Sequence, residues 1–249
     1  MSGHSHWATI KHKKGATDAK RGRLWSKLSR AIIVAAKNGG GDPGMNLKLR
    51  YAIDKAREVS MPKDNIERAI KRGTGDVDGI VFEEISYEGY GPGGVAIMVD
   101  VLTDNRNRTN GELRKIFEKG GGNMGGPGCV GYLFERKGVF LVDKTTTDED
   151  TLMGLVLEAG ADDMKLEGAN FQITCDPHSF NAVKENLEKQ SVKFVSAELT
   201  KLPKTSQDVD AEVGAKVMRL LDNFDDHDDA QNVYCNVNLT DAMIAEMSK

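Results

Sequence analysis

Cysteine is scarce in this chain: Cys129, Cys175 and Cys235 stand 46 and 60 residues apart among 249. That spacing provides neither a disulfide framework nor a zinc knuckle, so each is read as a small buried hydrophobe. Proline is equally sparse, at 6 residues, beside 39% hydrophobic and 29% charged positions. This balance excludes a collagen-like or largely disordered chain. No apolar run approaches the ~20 residues needed to span a bilayer. The basic start is not followed by an apolar core with a small-residue cleavage site, so a cytoplasmic protein with no membrane partner is expected. Histidine nearly vanishes after residue 30, where only His178 and His227 occur. No nucleophile, base and phosphate-binding loop assemble, which leaves an enzyme as the weakest reading, with no small-molecule substrate, cofactor or metal expected. His178, following Pro177, is read as a capping residue at a helix start.

Charge of one sign is scarce in one part of the chain. Residues 1–72 hold 17 Lys and Arg against 6 Asp and Glu, a net of +11. Residues 73–249 hold 17 against 32, a net of −15, so the overall −4 conceals a basic head on an acidic body.

Residues 2–16 have no sustained period and read as a mobile arm. From Asp18 the periodicity becomes helical. Leu24, Trp25, Leu28, Ile32, Ala35 and Ala36 share one face of a wheel, with Arg23, Lys27, Arg30 and Lys37 opposite. This predicts a helix over roughly 18–37, capped by Thr17 or Asp18 and stopped by Asn38-Gly39. Leu49, Ala52, Ile53 and Ala56 mark a second helix. Pro62, as a first-turn residue, opens a third that stops at Gly73. Residues 73–79 read as a linker.

Short β-rich runs follow, with strands expected at 81–87 and 95–102, a helix at 108–119 and a strand at 129–134. The order β-α-β-β-α-β is then complete, with strands at 139–142, 163–167, 171–174 and 193–199 and helices at 150–159 and 179–189. That order is ferredoxin-like. A helix at 209–224 and a strand at 232–238 are too little for a core of their own, so the tail is expected to return to the earlier strands. The fold class is therefore α+β, an amino-terminal three-helix domain (1–79) with two ferredoxin-like α+β domains. One is discontinuous (80–135 with 205–249) and the other inserted (136–204).

Nucleic acid is the partner that the charge pattern implies. Lys11, Lys13, Lys14, Lys20, Arg21, Arg23, Lys27 and Arg30 face a single Asp18 within the first thirty residues. Neutralising phosphates with such bases releases counterions and gives a salt-sensitive affinity. His12, with His6 and Trp7, adds rings that stack on bases, whereas Trp25 lies on the apolar face and belongs to the core. Arg106 and Arg108, in Thr103–Thr109, stand at a helix start where they either add an anion contact or accompany a cap from Asn107 or Asp104. Residues 120–128 contain GxGxxG but follow a helix, so the dinucleotide fingerprint fails in context and a flexible tip is expected. Asp222, Asp225, Asp226, Asp228 and Asp229 lack calcium-loop spacing and read as a solvated loop. With Met1 removed, Ser2-Gly3-His4 would chelate Cu(II) or Ni(II), but no metal function is assigned to it.

Several motifs in order resemble the YebC/PmpR family: Gly3-His4-Ser5-His6-Trp7, Ile10-Lys11-His12-Lys13-Lys14, Asp18-Ala19-Lys20-Arg21 and Trp25-Ser26-Lys27-Leu28. The likeness continues through Met61–Ile66, Tyr87–Gly94, Thr103–Thr109 and Gly121-Gly122-Asn123, with Met124 and Cys129 departing from the family's Leu and Ser. The resemblance implies three domains, a cytoplasmic location and a non-catalytic role in gene expression. It also carries two mechanisms: DNA-binding transcriptional regulation, and ribosome-associated translation control, as in a mitochondrial translational activator and in factors relieving stalling at proline-rich stretches. The leading expectation is a DNA-binding transcriptional regulator acting as a monomer. The alternative is an rRNA-binding translation factor, which the single basic arm with stacking aromatics suits.

Overall fold

The computed structural model describes residues 18–75, 82–240 and 243. Helix α1 spans Asp18–Gly39, α2 Leu47–Glu58 and α3 Lys63–Thr74. Leu28, Ile32, Ala36, Leu49, Ile53 and Ile66 close their shared core. Trp25 packs against that core and its Nε1 donates to the Val59 carbonyl at 3.2 Å, so it serves the fold as expected. The left-handed stop of α1 falls one residue later than expected, at Gly40 (φ 84°), whose amide donates to the Ala36 carbonyl. Asn46 ties two helices together. Its Oδ1 accepts from Leu49 N and its Nδ2 donates to the carbonyls of Ala35 and Gly40, which gives both ends of a buried amide a partner. Pro62 occupies the N-cap instead of the first turn, and Gly73 lies within α3 instead of ending it. A Cβ on Gly73 would stand 2.5 Å from the Ile33 carbonyl, so the close crossing of α1 and α3 requires glycine there.

Along the body, β1 (Glu83–Tyr90), β2 (Ala96–Thr103), α4 (Arg106–Lys119) and β3 (Asn123–Met124) come first. Next are β4 (Phe134–Asp143), α5 (Glu149–Glu158), β5 (Asp163–Glu167), β6 (Asn170–Cys175), α6 (Phe180–Lys189) and β7 (Ser196–Pro203). The chain continues with β8 (Gln207–Asp208), α7 (Ala211–Asp225), β9 (Ala230–Cys235) and β10 (Val237–Asn238). One four-stranded sheet has the order β3-β1-β2-β9 and a second has β5-β6-β4-β7. The second is the ferredoxin-like order read from the sequence, antiparallel throughout. In the first, β9 pairs antiparallel with β2, and α4 and α7 supply Leu113, Phe117, Leu220 and Phe224 to the core beneath it. The apolar face of α7 is buried there against α4 and the sheet, a cover that a lone helix and strand could not supply.

Several local expectations shift. The strand expected at 129–134 does not form before Phe134: Gly131–Leu133 make a 3-10 turn, and β4 runs unbroken from Phe134 into the run expected at 139–142. The last strand of the second sheet begins at Ser196, since Phe194 turns into that sheet's core. At the start of α6 it is the Asp176 carboxylate that accepts an amide, from His178 N at 2.8 Å, and His178 itself caps nothing among the described residues.

Specific contacts join the layers. Lys201 of β7 pairs with Asp100 of β2 at 2.8 Å and lies over the Tyr234 ring, linking the two sheets. Tyr51 of α2 donates to Asn181 Oδ1 at 3.0 Å and meets Phe180 edge-on, while Lys55 reaches Glu198 at 3.1 Å. The helical layer is thereby held against the second sheet through α2, leaving α1 to face α7.

Candidate nucleic-acid interface

The basic stripe of α1 meets the acidic segment that ends α7. Arg23, Lys27 and Arg30 recur at helical spacing, so they form one row along α1. Arg23 Nη1 lies 3.4 Å from Asp226 Oδ1, and the buried Lys27 Nζ donates to the Asp225 carbonyl. Arg30 Nη1 donates to Asp229 Oδ1 at 2.7 Å and to the Asp228 carbonyl at 3.1 Å. The acidic segment is therefore docked, and the expected solvated loop is corrected: it carries the charge complementary to α1.

Asp229, 3% exposed, is the hub of this contact. Its Oδ2 accepts from Arg108 Nη2 and Thr109 Oγ1, each at 2.7 Å, and its own amide donates to His227 Nδ1. Burial would raise its carboxyl's affinity for a proton, but the bonds from Thr109 and Arg108 outweigh burial and hold it below the ordinary aspartate range. The start of α4 is prepared for this role by Asn105, whose Oδ1 accepts from Arg108 N at 3.1 Å. Asn105 is thus the cap, in place of the expected Asn107 or Asp104. Glu112, His227 and Asp229 bring potential ligand atoms within 4.8 Å of one another. Both Asp229 oxygens already serve guanidinium and hydroxyl donors, and His227 Nε2 contacts Glu112 Oε2 at 2.9 Å, so the cluster is a network of ion pairs and hydrogen bonds.

A second buried carboxylate organises the glycine-rich segment. Glu88 of β1, 8% exposed, accepts from the amides of Gly128 (2.9 Å), Val130 (2.8 Å) and Gly131 (2.6 Å). Burial works to raise its protonation point, yet the three amides prevail and lower it. Tyr90 adds a hydroxyl donated to the Cys129 carbonyl, and β3 pairs with β1. A Cβ on Gly122 would stand 2.5 Å from the Tyr90 carbonyl. Residues 120–128 are therefore pinned to β1, which corrects the expectation of a flexible tip: their glycines permit close packing.

Comparison with known proteins places this architecture. The family described as the TACO1/YebC protein N-terminal domain matches residues 5–76, and that described as the TACO1/YebC second and third domain matches residues 82–237. The chain belongs to the TACO1/YebC family. A Rhodopirellula baltica relative called a probable transcriptional regulatory protein is 53% identical over 247 residues, covering 99% of this chain and all of its own. A Dictyoglomus turgidum relative of the same description is 50% identical over the whole of both chains. The crystal structure of a conserved hypothetical protein from Aquifex aeolicus superposes with a TM-score of 0.85 at 47% identity, covering 95% of this chain and 98% of that one.

Within this TACO1/YebC chain the residues expected to bind nucleic acid divide into groups. Lys11, His12, Lys13, Lys14 and the side chain of Lys20 lie outside the described residues. Arg21 and Arg106 are exposed, the latter in the first turn of α4. Arg23, Lys27, Arg30 and Arg108 all converge on residues 225–229. Sequence reasoning passed over α3, whose Arg68, Lys71 and Arg72 are exposed and, among the described residues, have no ion-pair partner. The signal was present as three bases at i, i+3 and i+4, which share a helix face. Glu88 was also missed. Its loop partners are 40 to 43 residues away, so no local pattern marks it.

Proposed function

We propose that the chain is a non-enzymatic, cytoplasmic, nucleic-acid-binding regulator of gene expression, foremost a DNA-binding transcriptional regulator acting as a monomer without a cofactor. The observation that carries this reading is the row Arg68, Lys71 and Arg72 on α3. These are cations without acidic partners among the described residues, on the same helical unit as the basic arm. Docking the acidic segment on Arg23, Lys27 and Arg30 leaves the exposed cations of α3 as open positive surface among the described residues, and the acidic body repels polyanions elsewhere. The names of the relatives support regulation of transcription. We divide the chain accordingly into a basic unit (1–79), a discontinuous unit (80–135 with 205–249) and an inserted unit (136–204).

A second reading, ribosomal RNA as the target, is favoured by the pinned glycine segment, beside which Tyr132 is 65% and Tyr90 39% exposed. A fixed segment poor in side chains, flanked by exposed rings, suits a narrow RNA site. One comparison separates the readings: binding to a promoter duplex against random duplex, and co-sedimentation with ribosomes, both across a salt series. Tighter promoter binding at matched salt supports the DNA regulator, and promoter binding no tighter than random overturns it. Absence from ribosomes at low salt overturns the second reading. Replacing Lys13, Lys14, Lys20 and Arg21 by Ala should flatten the log affinity against log salt slope by about 0.9 for each duplex phosphate no longer neutralised.

A further inference from the structure

Between α1 and α3, with Phe82 at one side, lies a cleft of about 420 Å³ whose lining includes Ile33 beside Ser26, Ser29, Arg30, Lys37, Arg72 and Phe82. Its size falls in the range of small-ligand sites, ~300–1,000 Å³. Among the described residues the lining carries three cations, of which Lys37 is already engaged, two hydroxyls, of which Ser26 already donates to the Gly22 carbonyl, and no carboxylate. Arg30 is only partly committed to the body, because both of its bonds there use Nη1. Its Nη2 and Nε have no partner among the described residues, nor has the guanidinium of Arg72. Two guanidiniums line this one cleft, and guanidinium recognises the oxygens of a phosphate with two parallel bonds. Phe82 adds a different element. It is partly exposed and belongs to none of the hydrophobic clusters of the described residues. An aromatic face beside a phosphate site is the arrangement on which an unpaired base stacks.

We propose that this cleft holds one nucleotide of an unpaired strand, its phosphate against Arg72 and the open edge of Arg30, its base against Phe82. The inference rests on the nucleic-acid reading above and narrows it: bases stacked within a duplex are closed to Phe82, whereas loops, ends and melted segments of DNA or RNA are open to it. Arg30 would then bridge the bound strand and Asp229, coupling occupancy of the cleft to the contact between α1 and α7.

The test is fluorescence anisotropy with labelled strands of about ten nucleotides, as single-stranded DNA, single-stranded RNA and duplex DNA, across a salt series. Phe82→Leu should weaken single-strand binding about tenfold with an unchanged salt slope, and leave duplex binding as it was. Arg72→Gln should lower the single-strand slope by about 0.7, the value for one phosphate contact. The DNA and RNA arms identify which strand is the source. Urea midpoints equal to the parent's establish that both variants are folded. Parent-like single-strand binding by Phe82→Leu, or an equal loss on duplex, overturns the assignment. Absence of single-strand binding by the parent chain overturns it as well, while promoter or ribosome binding would leave the broader reading standing. Competition by AMP as effective as by the strand would show a mononucleotide site and overturn the strand assignment.

Discussion

Arg30 Nη1 and Asp229 Oδ1 meet at 2.7 Å across 199 residues of sequence. The pair joins the first helix of the basic head to the end of the acidic body. Asp229 is nearly sealed from solvent and answers two guanidiniums and a hydroxyl, so its removal strands several donors at once. Asp229→Ala should lower stability by about 2 kcal/mol, less than the ~3–5 for a fully buried pair, because both guanidiniums still reach water. Asp226→Ala, which breaks a half-exposed contact with Arg23 at 3.4 Å, should cost under about 0.5 kcal/mol. Urea unfolding of both variants checks the order, and equal midpoints would show that Asp229 is not the hub.

Glu88 makes a related prediction for the glycine segment. Glu88→Ala leaves the amides of Gly128, Val130 and Gly131 without their acceptor, for about 2 kcal/mol and faster amide exchange confined to residues 125–131. Acid should have a graded effect through the same group. Glu88 and Asp229 both bind their protons less tightly folded than unfolded, so their stabilisation is complete above the unfolded values, 4.5 and 3.8. It is lost as pH falls through the lowered folded values. The double variant Glu88→Gln, Asp229→Asn should accordingly show a shallower loss of urea midpoint below about pH 4 than the parent. Parallel acid limbs would contradict this.

Two glycines in the helical layer should respond with opposite signs. Gly73→Ala drives a methyl to 2.5 Å from the Ile33 carbonyl and 2.7 Å from Ala36 Cβ, so α1 and α3 must separate. A loss of about 2 kcal/mol is expected, as for other overpacked sites. Gly22→Ala, at an exposed position of α1, meets nothing within 4 Å among the described residues and should add about 0.5–1 kcal/mol through helix propensity. Thermal melts of the two variants on either side of the parent would bear this out, and two shifts of one sign would not.

Much of the fold is written locally. The apolar stripe from Leu24 to Ala36 determines α1, and alternating or β-branched runs determine the strands of the second sheet and their succession along the chain, because side-chain period and hydrophobic burial act over a few residues. Boundaries moved where a longer-range contact won. The turn at Gly131–Leu133 replaces an expected strand because Glu88 draws in the amides of Gly128, Val130 and Gly131.

The sequence by itself determined that this protein is an α+β chain with a basic head and an acidic body, since composition and periodicity need no knowledge of what touches what. Only the tertiary structure decided which bases are committed within the molecule and which face outward. Arg23, Lys27 and Arg30 read as open cations until Asp225, Asp226 and Asp229 arrive from the far end of the chain. Arg68 and Arg72, inconspicuous in the sequence, keep no such partner among the described residues. Coulomb attraction depends on distance in space, and that distance exists only after α1 and α7 have packed.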